Sequence, residues 1–197
     1  MTRIRLPDAL TLSRLFFAGL IMFFLSVDFT LARTSALLMF IIAGTTDYLD
    51  GYLARKYYGS TPFGVFMDPL TDKILICAAF VSFVELQLLP AWMVVLVIGR
   101  EFLVTGLRLL AAYRGHIIPA GRWGKHKTGW QVVTIVAIML GLAVRDDVVA
   151  VYYPAVLADY RMGFSYVCYG LGLAAVMITL ASGWGYFWQH SPILRQQ

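Results

Sequence analysis

The chain has 197 residues, is 60% hydrophobic and 14% charged, and has a mean hydropathy of +0.74 with a formal net charge of +5. No ordinary water-soluble domain of this size needs so much apolar side chain for its core, so the composition points to a bilayer as the solvent. The apolar runs are continuous over about 20 residues rather than alternating over about ten, which excludes barrel strands and fits helices that cross the hydrocarbon layer.

Six such helices are expected in one membrane domain covering 1–197. Residues 1–8, with Arg3, Arg5 and Pro7, read as an N-terminal arm lying on the surface, and no small-residue cleavage site follows them. The first span is expected at about 9–28; its hydroxyls Thr11 and Ser13 are assigned no role, because hydroxyls in such helices bond back to their own backbone. The second, at about 34–57, ends in Asp47, Asp50, Gly51, Ala54 and Arg55, and a connection at 58–64 leads to a third at about 66–89 that opens with Asp68, Asp72 and Lys73. The fourth, at about 91–113, carries Arg100, Glu101 and Arg108 inside an apolar run. A basic stretch with Arg122, Lys125 and Lys127 precedes the fifth span at about 128–145, and the sixth is expected at about 161–188. GWGYFWQ at 183–189 reads as an interfacial aromatic belt.

Basic residues favour the cytoplasmic side of short loops. In the six-span arrangement only Arg33, Arg145 and Arg161 fall on the side away from the other thirteen of the 16 lysines and arginines, so both termini are expected in the cytoplasm. Cys77 and Cys168 lack metal-ligand spacing and read as packed thiols. His116, His126 and His190 have no partner spacing either.

The segment DYLDGYLARKYYGSTPFGVFMDPLTDK holds the chemistry. Asp47 and Asp50 are three apart and Asp68 and Asp72 four apart, so each pair shares a helix face, and an antiparallel pairing of the two helices would bring all four together. Four carboxylates at membrane depth repel one another and lose hydration, each costing at least about 2.5 kcal/mol. The two nearby cations, Arg55 and Lys73, cannot balance them. Hard oxygen donors of this kind suit Mg²⁺ or Mn²⁺, with two ions accommodated by four carboxylates and substrate phosphates completing the coordination. Gly51, Ala54 and Gly64 keep side chains out of the way of an approaching ligand, and Arg55 is placed to reach a phosphate.

The spacing Asp47-x2-Asp50-Gly51-x2-Ala54-Arg55-x8-Gly64-x3-Asp68-x3-Asp72 resembles, without gap or substitution, the signature of the CDP-alcohol phosphotransferase family. The resemblance implies six membrane helices around a cytoplasm-facing polar cavity, a homodimer, and two metal ions. It further implies that Asp47, Asp50 and Asp68 hold one ion, that Asp47, Asp68 and Asp72 surround the other, and that Asp72 is the general base. Gly51, Ala54, Arg55 and Gly64 would then face the CDP-lipid.

Members of that family differ in the acceptor alcohol. Arg100, Arg108 and Lys125 form part of a basic rim that suits an acceptor bearing its own phosphate, because such a group accepts charge-assisted hydrogen bonds. RE-x5-LR at 100–108, GKHKT at 124–128 and LPDALTLSR at 6–14 resemble the branch that uses glycerol 3-phosphate. The expected reaction is transfer of the phosphatidyl group of CDP-diacylglycerol to glycerol 3-phosphate, in a bacterial-type cell membrane among its lipids and with no nucleic acid involved. Other acceptors (inositol phosphate, serine, phosphatidylglycerol) remain within the family. A divalent-cation transporter is the alternative of another class, and Arg55 beside the carboxylates argues against it because it would repel a passing ion.

Overall fold

The structure, a computed structural model, describes the backbone of residues 6–57, 62–113 and 122–195, and the side chains of 13–46, 73–113 and 127–184. Six long helices carry the described chain: α1 (Leu6–Ser26), α2 (Ala32–Tyr57), α3 (Pro62–Glu85), α4 (Ala91–Tyr113), α5 (Arg122–Ala143) and α7 (Leu157–Arg195). Between α5 and α7 run a π-helical turn at Val144–Val149, a single turn α6 (Ala150–Tyr152) and a 3-10 turn at Pro154–Val156. The described residues are all-helical, as expected.

The fourth helix starts and ends where the sequence reading put it, at 91 and 113; the other helix starts differ, and prolines account for two of them. Proline fits the first helical turn, where its missing N–H has no partner to lose. Pro7 therefore lies within α1, so that residues 6–8 of the expected arm are helical, and Pro62 opens α3 ahead of the expected position 66. The rest of that arm, residues 1–5, and residues 58–61 of the expected connection lie outside the described residues. The expected boundary at 128 moves to Arg122, because GRWGKHK is not a solvated loop throughout: Lys127 turns inward and is buried.

Side-chain contacts fix the relative directions of the helices. Gln131 meets Thr179 and Gly141 meets Phe164, so α7 runs antiparallel to α5, while Met93 meets Gly172 and Arg100 meets Gly183, so α4 runs parallel to α7. The core is one apolar cluster that includes Ile21 and Leu25 of α1, Phe40 of α2, Phe80 and Phe83 of α3, Met93 and Val97 of α4, Ile138 and Met139 of α5, and Val176 of α7. Cys168 is buried within it, and both it and Cys77 are free thiols.

One close approach depends on a missing side chain. A Cβ on Gly141 of α5 would overlap the ring of Phe164 on α7, beside which Tyr160 donates a hydrogen bond to the Gly141 carbonyl at 3.2 Å. The Tyr160 and Phe164 rings stack at 5.9 Å, so the Phe164 ring is not free to swing aside. Gly141→Ala is expected to cost about 1–3 kcal/mol in overpacking, more than the gain of about 1 kcal/mol in helix propensity. The measurement is the thermal midpoint in detergent, which should fall by a few degrees; an unchanged or raised midpoint would contradict the packing.

At the end of the bundle that holds the α1–α2 turn, ion pairs knit three elements. Arg33 of α2 donates to Asp28 at 2.8 Å, to Asp146 at 3.1 Å and to the carbonyls of Phe24 and Leu25, and Arg145 donates to Asp146 at 2.6 and 2.8 Å. Asp147 accepts from the backbone N–H of Thr34 at 2.8 Å and from its hydroxyl at 2.6 Å.

The outer surface is apolar. Phe16, Leu38, Val95, Leu103, Val133, Tyr166 and Met177, spread over α1, α2, α4, α5 and α7, are exposed, while Glu101, Lys127, Gln131 and Thr179 are buried. Among the described residues one helical segment, Pro154–Trp184, is long and apolar enough to cross a membrane, and Ser13–Ser26 and Ala32–Thr46 are shorter apolar stretches.

Candidate active site

The aspartates fall on helices as their spacing requires. Asp47 and Asp50 lie in the second half of α2, and Asp68 and Asp72 in the first half of α3, so each pair occupies neighbouring positions on one helix face. Their side chains, with those of Gly51, Ala54, Arg55, Gly64 and Lys125, lie outside the described residues. What the backbone fixes is depth. At a rise of 1.5 Å per residue, Asp72 stands about 20 Å from the C-terminal end of α3 and Asp47 about 22 Å from the N-terminal end of α2.

A group of charged and polar side chains lies at comparable depth on the neighbouring helices. Arg100 and Glu101 stand roughly 14–15 Å along α4, and Lys127 about 24 Å from the C-terminal end of α5. Glu101 is the hub. One of its carboxylate oxygens, Oε1, receives the Lys127 ammonium and the Gln131 side-chain amide, the latter at 3.2 Å, and lies 3.8 Å from the Arg100 guanidinium. Gln131 also donates to the Thr179 hydroxyl of α7 at 3.4 Å. The Arg100 and Glu101 side chains keep only 11% and 10% of their surface, so these charges meet in a medium where pairing and hydrogen bonding count for far more than in water.

Two further contacts tie this group to its surroundings. The helix α3, on which Lys73 follows Asp72 directly, packs against both α4 and α5, the helices that carry Arg100, Glu101, Lys127 and Gln131. On α7, a Cβ added to Gly183 would lie 3.1 Å from Arg100 Cγ and 3.3 Å from Arg100 Nε. The stem of Arg100 therefore rests against a position kept bare.

Of the basic residues named from the sequence, Arg100 belongs to this group. Arg108 is exposed about 12 Å further along α4. Lys127, read from the sequence as part of a rim, is buried on Glu101. The sequence reading assigned no function to Glu101, Gln131, Thr179 or Gly183. The one signal it held for them was a glutamate placed beside an arginine inside an apolar run.

The sequence matches the family described as CDP-alcohol phosphatidyltransferase over residues 4–183. A Bacillus subtilis protein named CDP-diacylglycerol–glycerol-3-phosphate 3-phosphatidyltransferase is 37% identical over 194 residues, covering 92% of this chain and 93% of its own. A Rickettsia felis protein of the same name is 35% identical over 136 residues, 69% of this chain and 75% of its own. A Mycobacterium tuberculosis protein named probable phosphatidylglycerophosphate synthase is 39% identical over 171 residues, 84% of this chain and 81% of its own.

Proposed function

This chain belongs to the CDP-alcohol phosphatidyltransferase family, and on that footing we propose that it transfers the phosphatidyl group of CDP-diacylglycerol to glycerol 3-phosphate, forming phosphatidylglycerophosphate and CMP. The observation that carries the choice of a phosphorylated acceptor is the buried Arg100–Glu101–Lys127 group, on helices that pack against the aspartate-bearing α3. An uncharged alcohol would have no use for enclosed cations there, whereas a phosphate monoester accepts charge-assisted hydrogen bonds from them. The names of the relatives agree with that choice.

In the reaction, the acceptor hydroxyl oxygen forms a bond to the phosphatidyl phosphorus as the bond from that phosphorus to the CMP oxygen breaks. The hydroxyl proton passes to Asp72, acting as general base. Asp47, Asp50 and Asp68 would hold one Mg²⁺ or Mn²⁺ ion, and Asp47, Asp68 and Asp72 a second. The fit rests on donor chemistry: hard carboxylate oxygens at three- and four-residue spacing on two helices. When bound, such ions neutralise charge on the diphosphate. Gly51, Ala54 and Gly64 leave room for the CDP group, and Arg55 adds a phosphate donor.

The same reading places the six long helices across a bacterial cell membrane, with the aspartates, Arg100 and both termini at the cytoplasmic side, and pairs the chain as a homodimer. The apolar outer surface enclosing buried charges supports it, and so does the one-sided distribution of lysine and arginine.

The test is incorporation of labelled glycerol 3-phosphate into the lipid phase by purified protein in mixed micelles with Mg²⁺. Label should enter lipid only when CDP-diacylglycerol is present, and lipid labelling without it would refute the reaction. Arg108→Ala is expected to raise the acceptor KM several-fold and leave the CDP-diacylglycerol KM unchanged, because one charge-assisted phosphate contact is lost. An unchanged acceptor KM would remove Arg108 from the site.

A further inference from the structure

The last helix lies furthest in sequence from the aspartate signature, yet it meets the polar group twice. Thr179 of α7 accepts from Gln131, Gln131 donates to Glu101, and Glu101 takes the Lys127 ammonium and stands beside Arg100. Four residues beyond Thr179, and so on the same face of α7, Gly183 leaves the space in which the Arg100 stem lies. Thr179 is wholly buried, and Gln131, Lys127 and Glu101 are nearly so, which leaves these side chains little room to rearrange.

We infer that Glu101 is a positioning residue for the acceptor phosphate: braced by Lys127 and Gln131 of α5 and, through Gln131, by α7, it fixes where the Arg100 and Lys127 heads stand, while Gly183 seats the Arg100 stem. The inference rests on the acceptor reading given above and adds to it a role for α7. Arginine and lysine are long and rotamer-rich, so a phosphate that had to order them on arrival would lose affinity; a carboxylate that holds them beforehand removes that loss. Removing a buried carboxylate from between two cations has opposite consequences under two accounts. If Glu101 acted only through its charge, its neutralisation would leave the site more positive and draw a phosphate more strongly. If Glu101 positions the cations, its loss weakens phosphate binding in spite of the added positive charge.

The experiment uses the full-length protein in mixed micelles and measures KM for glycerol 3-phosphate and for CDP-diacylglycerol, with kcat, for wild type, Glu101→Gln, Gln131→Leu and Gly183→Ala. Glu101→Gln should raise the acceptor KM by about tenfold, the size expected for a lost charged hydrogen bond, with the CDP-diacylglycerol KM changed less than about twofold. Gly183→Ala, which displaces the Arg100 stem by a few tenths of an ångström, and Gln131→Leu, which cuts the link to α7, should each raise the acceptor KM about threefold. Should Glu101→Gln fail to accumulate because Lys127 loses its counter-charge, those two variants carry the test, since neither removes a charge. A fall or no change in acceptor KM, or equal losses for both substrates, would overturn the inference while leaving the reaction in place. A wild type that uses no phosphorylated acceptor would overturn the reaction itself, and this role for Glu101 with it.

Discussion

Asp72→Asn should lower kcat by about a thousandfold, in the middle of the range for loss of a positioned general base, while CDP-diacylglycerol still binds with near wild-type affinity. Asparagine keeps the size of the side chain and one oxygen able to accept a hydrogen bond or contact a cation. It loses the negative charge and with it the basic site that takes the acceptor proton. The other three aspartates, on both α2 and α3, remain to hold the ions and through them the diphosphate. A binding measurement with CDP-diacylglycerol and Mg²⁺, set beside turnover, separates the two roles. Wild-type turnover in the variant would remove Asp72 as the base, and lost CDP-lipid binding would assign it to substrate binding instead.

The second large effect is expected far from the chemistry. Arg33→Met should lower the thermal midpoint in detergent by on the order of 10 °C, because breaking a buried charge network costs about 3–5 kcal/mol. The Arg33 side chain is 7% exposed and serves two ends at once. Its guanidinium donates to the Phe24 and Leu25 carbonyls in the last turn of α1, whose acceptors have no partner within the helix, and it meets Asp28 and Asp146. Methionine fills much of the space but satisfies neither carbonyl and leaves Asp146 with Arg145 alone.

The same network gives a dependence on pH. Burial alone would push the Asp146 carboxyl up, but the hydrogen bonds and charges of Arg145 and Arg33 outweigh it and hold the group below its ordinary value. A depressed folded pKa contributes stability that is present above the unfolded carboxylate value, near about 4, and is lost as pH falls through the folded value. The wild-type midpoint should therefore drop in acid below about pH 4, and the drop should be smaller in Arg33→Met. An equal acid response in both proteins would show that Arg33 does not hold Asp146 ionised.

Long apolar runs gave the six long helices directly, because hydrophobic length is a local property of the chain. Their ends were less legible where a residue had two readings. Pro7 and Pro62 can close a loop or open a helix, and here they open helices. The run Arg122 to Lys127 looks solvated until Glu101 is known to lie across from Lys127, a pairing between residues 26 apart that no local pattern announces. The π-helical turn at Val144–Val149 is hidden for the same reason: Asp147 accepts from Thr34, 113 residues away in sequence. That each aspartate pair falls on one helix was legible because a spacing of three or four residues is itself helical geometry. The bracing of Arg100 was not, since it depends on Gly183 and Thr179, whose small side chains carry no chemical signal in a sequence.

The most direct test of the reaction is CMP release by the purified protein supplied with CDP-diacylglycerol and Mg²⁺, with glycerol 3-phosphate, inositol phosphate, serine and phosphatidylglycerol each offered alone. CMP release is expected with glycerol 3-phosphate, and background release with the other three. Release with serine or phosphatidylglycerol in place of glycerol 3-phosphate would contradict the role given to the Arg100–Glu101–Lys127 group, and release with none of the four would contradict the reaction.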